Sequence, residues 1–382
     1  MAAKNFLTID ELRLRARKRI PKLAFDYLDG GAGNEANIER NRFGFSNITL
    51  QPEYLRDVTK RSQKVNLFGH TYDAPIGISP VGLSNLIWPN ADKMLATLAK
   101  EKNIPYILSA VGTSSIEQIA SIAPEHAWFQ LYVPGKDYIC FDLIKRAKDS
   151  GIKVLVLTVD IPEPSIRRRD LRNNFTLPFK MRPATLLDIA RKPYWAIGTL
   201  INGKPRFESM TPYMEQAAQG KSLNAAQVLQ TSARLSEELI KKIRDSWHGT
   251  FIIKGILSPN SAKAARKIGA DGIIVSNHGG RQLDSAPSSI EVLPAIVKTV
   301  GSDLTVMLDS GIRCGSDIVK TFASGGSFTF SGRSFMFGVG ALGEEGAGHV
   351  LDLMTTEVDQ VLAQIGCKNI TELDDNYIWK TK

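Results

Sequence analysis

Cysteine and histidine are scarce in this 382-residue chain, with three of the first and five of the second. Cys140, Cys314 and Cys367 are odd in number, far apart, and form no CxxC or Cys/His spacing. That excludes a disulfide framework and a zinc module, predicts no metal site, and favours a reducing compartment with structural thiols. Long apolar runs are missing too. No uncharged apolar stretch reaches about 18 residues, so no helix is predicted to span a bilayer. The opening MAAKNFLTIDELRLRARKRIPKLAFDYLDGG has no apolar h-region, so no secretory signal is expected. No Pro- or Ser-rich linker and no second core are evident, and residues 1–382 read as a single domain. Acidic residues are outnumbered, 39 against 48 Lys and Arg, for a net charge of +9. An anionic partner is favoured: an acidic substrate, a lipid headgroup or a nucleic acid. No nucleic-acid reading motif is present, and nucleic acid is not expected as a partner.

What the chain does have is repetition. Eight short apolar or β-branched runs recur: APIGISP from Ala74, PYILSA from Pro105, AWFQLYV from Ala127, KVLVLTVD from Lys153, TFIIKG from Thr250, GIIVSN from Gly272, TVMLDSG from Thr305 and SFTFSG from Ser327. Between them lie segments of helical periodicity such as ADKMLATLAKEKN, DLIKRAKDSG, SAKAARKIGA and SIEVLPAIVKTV. Strands alternating with helices imply a parallel sheet with crossovers, and eight is the number that closes a (β/α)8 TIM barrel. The predicted barrel covers residues 74–350. Residues 1–70 form an extension, with a helix from Ile9 to Leu28 introduced by Thr8 and a hairpin within residues 47–72. The fourth and fifth runs are separated by a long insertion, about residues 170–230, which suits a lid or a binding segment.

In such barrels the active site forms at the C-terminal strand ends. The ends supply, in order, Pro80-Val81-Gly82, Ser109, Gln130 with Tyr132, Thr158 with Asp160, Lys254, Ser276-Asn277-His278-Gly279-Gly280-Arg281, Asp309 with Gly311 and Arg313, and Gly332-Arg333. A single polar residue at a strand end is usually structural; a polar group at almost every end is not what packing produces. Gly311, Arg313, Gly332 and Arg333 on the last two strands suit a phosphate, through backbone N–H groups and guanidinium forks. His278 can remove a proton near neutral pH. Arg281, three residues on, can hold a carboxylate bidentately. The glycines between them let backbone and a planar ligand approach closely.

The run SNHGGRQLD resembles the signature of the FMN-dependent 2-hydroxy-acid oxidase and dehydrogenase family. The resemblance runs from PKLAFDYLDGGAGNE near Pro21 to QIGCKNITEL near Gln364. It implies FMN as cofactor and oxidation of an (S)-2-hydroxy acid to the 2-oxo acid. His278 is then the catalytic base, Asp160 its partner, and Tyr132 a hydrogen-bonding partner of the reacting hydroxyl. Lys254 would sit at the flavin edge where charge develops. Arg281, Arg167 and Tyr27 would bind the substrate carboxylate. Pro80, Val81, Gly82, Ser109, Gln130, Thr158, Lys254 and Ser276 would hold the ring, and Asp309, Gly311, Arg313, Gly332 and Arg333 the ribityl phosphate. Asp160 as a helix cap, Tyr27 as an ordinary helix residue, and the neighbours of Arg167 in Arg167-Arg168-Arg169 as the true ligands remain alternatives. Hydride and carbanion routes are not separable from sequence.

The chain departs from the family pattern in the turn before Arg167, where Pro164-Ser165-Ile166 replaces a Gly-containing stretch, and in Ser324–Phe328 before the last strand. Gly82 and Val111 resemble the mandelate and lactate dehydrogenase branch and imply room for a lactate- or mandelate-like substrate. From Thr176 to Arg206 the insertion carries six basic residues and one acid, Asp188, interleaved with Trp195, Tyr194 and aliphatic side chains. That mixture suits an anionic bilayer surface, and ATLLDIARKPYWAIGTLINGKP resembles the membrane-docking segment of bacterial mandelate and lactate dehydrogenases. The implied enzyme is a peripheral homotetramer on the cytoplasmic side of the cell membrane that passes electrons to quinone. The alternatives are a soluble oxidase that returns electrons to O2 as H2O2, with the insertion a solvated lid, and a silent FMN- or phosphate-binding barrel.

Overall fold

The computed structural model describes residues 3–175, 182–218 and 235–380. Eight parallel strands close into a barrel: β1 (Ile76–Ile78), β2 (Tyr106–Ser109), β3 (Ala127–Leu131), β4 (Val154–Thr158), β5 (Thr250–Ile256), β6 (Gly272–Val275), β7 (Thr305–Leu308) and β8 (Phe328–Ser331), with β8 pairing back onto β1. Seven fall within one of the eight predicted runs, and β5 overruns its run, TFIIKG, by one residue, Ile256. They are apolar on both faces because both faces are covered, by the barrel interior and by the surrounding helices; β2, β3, β4 and β6 are buried throughout.

The ladder between β5 and β6 slips by one residue between Lys254 and Ile256. Gly255 sits at that slip with φ +103°, and a Cβ there would lie 2.6 Å from the Cβ of Asp160. Glycine is therefore required twice over, for its backbone angle and for the approach of the Asp160 side chain.

The extension differs from the sequence expectation in two respects. The helix predicted from Ile9 to Leu28 is two helices, α1 (Ile9–Arg19) and α2 (Lys22–Asp29). Pro21 causes the break, because the residue before a proline is pushed out of the helical region, and Ile20 adopts φ −105°, ψ 157°. The predicted start holds: Thr8 and Glu11 cap α1 reciprocally. The hairpin is confined to Val65–Leu67 and His70–Tyr72, turning at Phe68-Gly69. Upstream of it the chain pairs instead with the C-terminal segment, through Leu50 with Ile378 and Ser62 with Asn369. A further helix, α3 (Ala36–Ser46), buries Asn37 and Asn41.

Within the insertion the described residues form the short helix α4 (Arg168–Arg172), α5 (Pro183–Ala190) and α6 (Pro193–Asn202). Proline at the first turn of α5 and of α6 starts each helix where an N–H has no partner to lose. Phe179, Lys180 and Met181, part of the basic and apolar mixture noted above, lie outside the described residues.

Candidate active site

A cavity of about 460 Å³ opens at the C-terminal ends of the strands, within the usual range for small-ligand sites. Tyr27 and Leu28 of α2 close one side of it, and Pro80, Val81, Gly82, Tyr132, Arg167, Lys254, His278, Arg281, Asp309, Gly311, Arg313, Gly332 and Arg333 all line it. These are most of the residues singled out from sequence. Ser109, Gln130, Thr158 and Ser276 are buried at their strand ends and do not reach the cavity wall.

His278 is held at three points. Its Nδ1 lies 2.9 Å from Asp160 Oδ1, its Nε2 lies 3.3 Å from the Tyr132 hydroxyl, and its backbone N–H donates to Ser276 Oγ at 3.0 Å. With Nδ1–H donating to Asp160, Nε2 carries the lone pair and faces Tyr132. Burial first, and then the nearby Asp160 charge, push the Tyr132 phenol far above its ordinary value, so it stays protonated. Asp160 is thereby a partner of the imidazole rather than a helix cap. The backbone of His278 is left-handed, φ 58°, a conformation that costs energy in a non-glycine residue and clusters at functional sites. A knot of asparagines holds it there. Asn277 Nδ2 donates to Asn37 at 2.5 Å and Asn41 at 2.7 Å, and Asn277 Oδ1 accepts from Asn41 and from the Gly280 N–H.

The three consecutive arginines Arg167-Arg168-Arg169 take different partners. Arg168 bonds Asn34 at the surface, and Arg169 pairs with Asp29 and Glu35. Only Arg167 lines the cavity, 3.4 Å from Asp170 and over the Tyr27 ring at 5.7 Å. Arg281 covers the same ring at 4.9 Å and donates to the carbonyls of Tyr27 and Gly30. Burial, followed by the charge of Arg167, pushes Arg281 down to about 10. The Tyr27 hydroxyl donates to the Gly82 carbonyl at 3.1 Å. Asp170 was not foreseen; its signal was the i, i+3 spacing from Arg167.

Lys254 is buried, 2.9 Å from Asp309 and 2.8 Å from Ser276 Oγ. Burial works against the Asp309 charge, but Lys254 and hydrogen bonds from Ser276 and Ser310 outweigh it and hold the carboxyl below its ordinary range. Ser79 and Ser310, both hydrogen-bonded to Asp309, also line the cavity and were not anticipated. Among the described residues Arg313 and Arg333 donate to backbone carbonyls alone: Ile312 for the first; Leu28, Gly279 and Gly30 for the second. Burial lowers both, Arg313 to about 10 and Arg333 further, Arg281 and Arg313 adding repulsion in the latter case. Gly279 permits this crowding, since a Cβ there would lie 2.7 Å from Arg333 Nη1.

The arrangement fits FMN on its own terms. Arg313 and Arg333, cations without carboxylate partners among the described residues, line the cavity together with Gly332, where a Cβ would come within 3.3 Å of Val81, and suit a phosphate dianion. Just behind the wall, Gln130 Nε2 is buried with no acceptor among the described residues, a donor that a polar ligand edge would satisfy if the wall gave way.

The comparisons with known proteins agree. The family model described as FMN-dependent dehydrogenase matches residues 16–380. (S)-mandelate dehydrogenase of Pseudomonas putida is 37% identical over 98% of this chain and 94% of that protein. L-lactate dehydrogenase of Pseudomonas syringae pv. syringae is 37% identical over 97% of each. Among solved structures, monotopic membrane protein (S)-mandelate dehydrogenase superposes with a TM-score of 0.90 at 35% identity, covering 99% of this chain and 100% of that one. A mandelate oxidase superposes at 0.81 and 30% identity, over 96% and 97%.

Proposed function

This chain belongs to the FMN-dependent dehydrogenase family, and we propose that its cavity oxidises a lactate- or mandelate-like (S)-2-hydroxy acid to the 2-oxo acid. The observation that carries the proposal is one imidazole, fixed between Asp160 and Tyr132, sharing a cavity with two arginines that both lie over the Tyr27 ring.

Arg281 and Arg167 hold the substrate carboxylate; the burial of Arg281 and its repulsion by Arg167 make an anion welcome. Tyr27 steadies that pair from below. Holding the carboxylate fixes C2 and its hydroxyl relative to His278, an entropic contribution to rate. His278 Nε2 takes the hydroxyl proton, Tyr132 keeps the oxygen in place, and Asp160 stabilises the imidazolium that forms. FMN, when bound, would supply the acceptor for the hydrogen and the electron pair of the C2–H bond that breaks as the carbonyl forms. Pro80, Val81 and Gly82, with Ser109, Gln130, Thr158 and Ser276 behind the wall, would hold its ring, and Asp309, Gly311, Arg313, Gly332 and Arg333 its ribityl phosphate. Lys254 fixes a buried ammonium beside that region and favours added negative charge there.

Gly82 and Val111 favour the larger substrates. A Cβ on Gly82 would come within 3.0 Å of Val111, so the small residue and the modest neighbour together leave room. The electron acceptor is membrane quinone, and the enzyme is a peripheral homotetramer at the cytoplasmic face. Supporting the membrane reading, Leu186, Leu187, Tyr194, Ile197, Leu200 and Ile201 are all more than half exposed on α5 and α6, whereas no helix among the described residues is long and apolar enough to cross a bilayer. Buried Trp195 donates to the Leu86 carbonyl at 3.0 Å and anchors α6 to the barrel.

The test is anaerobic reduction of the yellow holoenzyme by glycolate, lactate and mandelate in turn. Bleaching by lactate or mandelate, faster than by glycolate, is the expected result. A flavin that stays oxidised with all 2-hydroxy acids refutes the assignment. Turnover that needs quinone and yields no peroxide distinguishes the dehydrogenase from an oxidase.

A further inference from the structure

A second cavity, of about 540 Å³, lies outside the active site, between α1, α2, α4 and the α5–α6 junction. Its wall carries six cationic and three anionic side chains. The carboxylates are already taken up. Asp29 is held by Arg13 at 2.5 Å and Arg169 at 2.8 Å, Asp26 by Lys22 and Asn173, and Asp188 accepts the backbone N–H of Lys22 at 2.6 Å. Arg17 and Arg172 are left over. Both are exposed, and neither has an ion-pair partner among the described residues.

The cleft is continuous with the apolar helices. Lys192, at the α5–α6 junction, lines it and donates to the Lys18 carbonyl at 2.7 Å. Arg19 spans Trp88 at 4.2 Å and Tyr194 at 5.9 Å. The α1–α2 junction is thus clamped to the segment that presents Leu186, Leu187 and Tyr194. Leu14 of α1 is half exposed and lies three residues before Arg17, on the same helical face. Unpaired guanidinium groups bordered by exposed aliphatic side chains match the two halves of an acidic phospholipid: a phosphate and the acyl boundary.

We propose that this cleft, with Arg17 and Arg172 as its free cations, binds the phosphate of an acidic phospholipid headgroup and sets how α5 and α6 meet the membrane. The proposal rests on the membrane-docking reading above and adds a headgroup site to it. Neither arginine has a part in the chemistry of the active site, so flavin reduction by the hydroxy acid reports intact folding in every variant.

The experiment is sedimentation of the holoenzyme with two kinds of vesicle, phosphatidylcholine alone and an equimolar mixture of phosphatidylcholine and phosphatidylglycerol. Four proteins are compared: wild type, Arg17→Glu with Arg172→Glu, Lys148→Glu with Lys298→Glu as a charge-matched pair elsewhere on the surface, and Leu200→Ser with Ile201→Ser. The cleft pair is expected to lose about tenfold or more in partitioning to the mixed vesicles and little to phosphatidylcholine, while the charge-matched pair changes by less than about twofold. Equal losses from both charge-reversed pairs would mean diffuse attraction and overturn the cleft. No loss from the cleft pair, with loss from the Leu200/Ile201 variant, also overturns the cleft but leaves docking intact. Wild type that sediments with neither vesicle overturns both.

Discussion

At the scale of single residues, the site depends on groups that hold other groups. His278→Gln should retain the flavin colour and lower anaerobic reduction by about 10²–10⁴-fold, the range for loss of a positioned base; rapid bleaching by that variant would remove His278 from the role. Gly255→Ala tests a less visible requirement. The new Cβ meets Asp160 at 2.6 Å on a backbone with φ +103°, so a loss of about 1–3 kcal/mol is expected in denaturant unfolding, with a further fall in kcat as Asp160 is displaced from His278. Unchanged stability would mean that the β5–β6 slip relaxes freely. His278 and Arg281 were legible because a base, two glycines and a guanidinium in succession at a strand end have little to do with packing. Asp170, Ser79 and Ser310 were not, because a short polar side chain beside a turn looks alike whether it caps, packs or pairs.

Elements behave differently. The eight strands were legible since burial on both faces writes a continuous apolar run. The extension was legible at its start, where Thr8 and Glu11 make a local capping box, and in its hairpin, though not in that hairpin's bounds. Pro21 divides α1 from α2, and the chain from Leu50 to Ser62 takes its partners from Ile378 and Asn369, too far along the chain for any local pattern to announce. The α5–α6 pair carries its own prediction. Removing residues 180–205 should release the enzyme from membranes while turnover with a soluble dye persists. Retention of the shortened enzyme on membranes would place the docking surface elsewhere, and loss of dye turnover would assign the segment to the active site as a lid.

For the whole molecule, the buried charges set the conditions of stability. Arg281, Arg313 and Arg333 have folded-state values lowered by burial, so each costs stability while charged, at every pH of practical interest. A bound anion offsets that cost, and ligand binding to the folded state adds to stability by mass action. Stripping FMN should therefore lower Tm by several degrees, and inorganic phosphate should restore part of it; an apoprotein as stable as the holoenzyme would argue against a phosphate site at these arginines. Asp309 and Asp29 shift in the opposite sense to ordinary buried acids. Burial pushes each up, but Lys254 for the first and Arg13 with Arg169 for the second leave the folded value below the unfolded one. Their stabilisation is present above the unfolded carboxylate range, about pH 4, and disappears as pH falls through the lower folded values. Acid unfolding should accordingly begin below about pH 4 and shift upward in Asp29→Asn, which circular dichroism during acid titration would show.

The chain alone determined that a parallel eight-stranded barrel forms and which strand ends carry chemistry, since the strand period, the turn glycines and the SNHGGRQLD run are properties of neighbours in sequence. Tertiary structure decided which of three consecutive arginines enters the cavity, that three asparagines from two distant segments fix the His278 turn, and that Arg17 of α1 and Arg172 of α4 have no carboxylate partner among the described residues. Those outcomes turn on distances between residues far apart along the chain, which packing sets and no local pattern encodes.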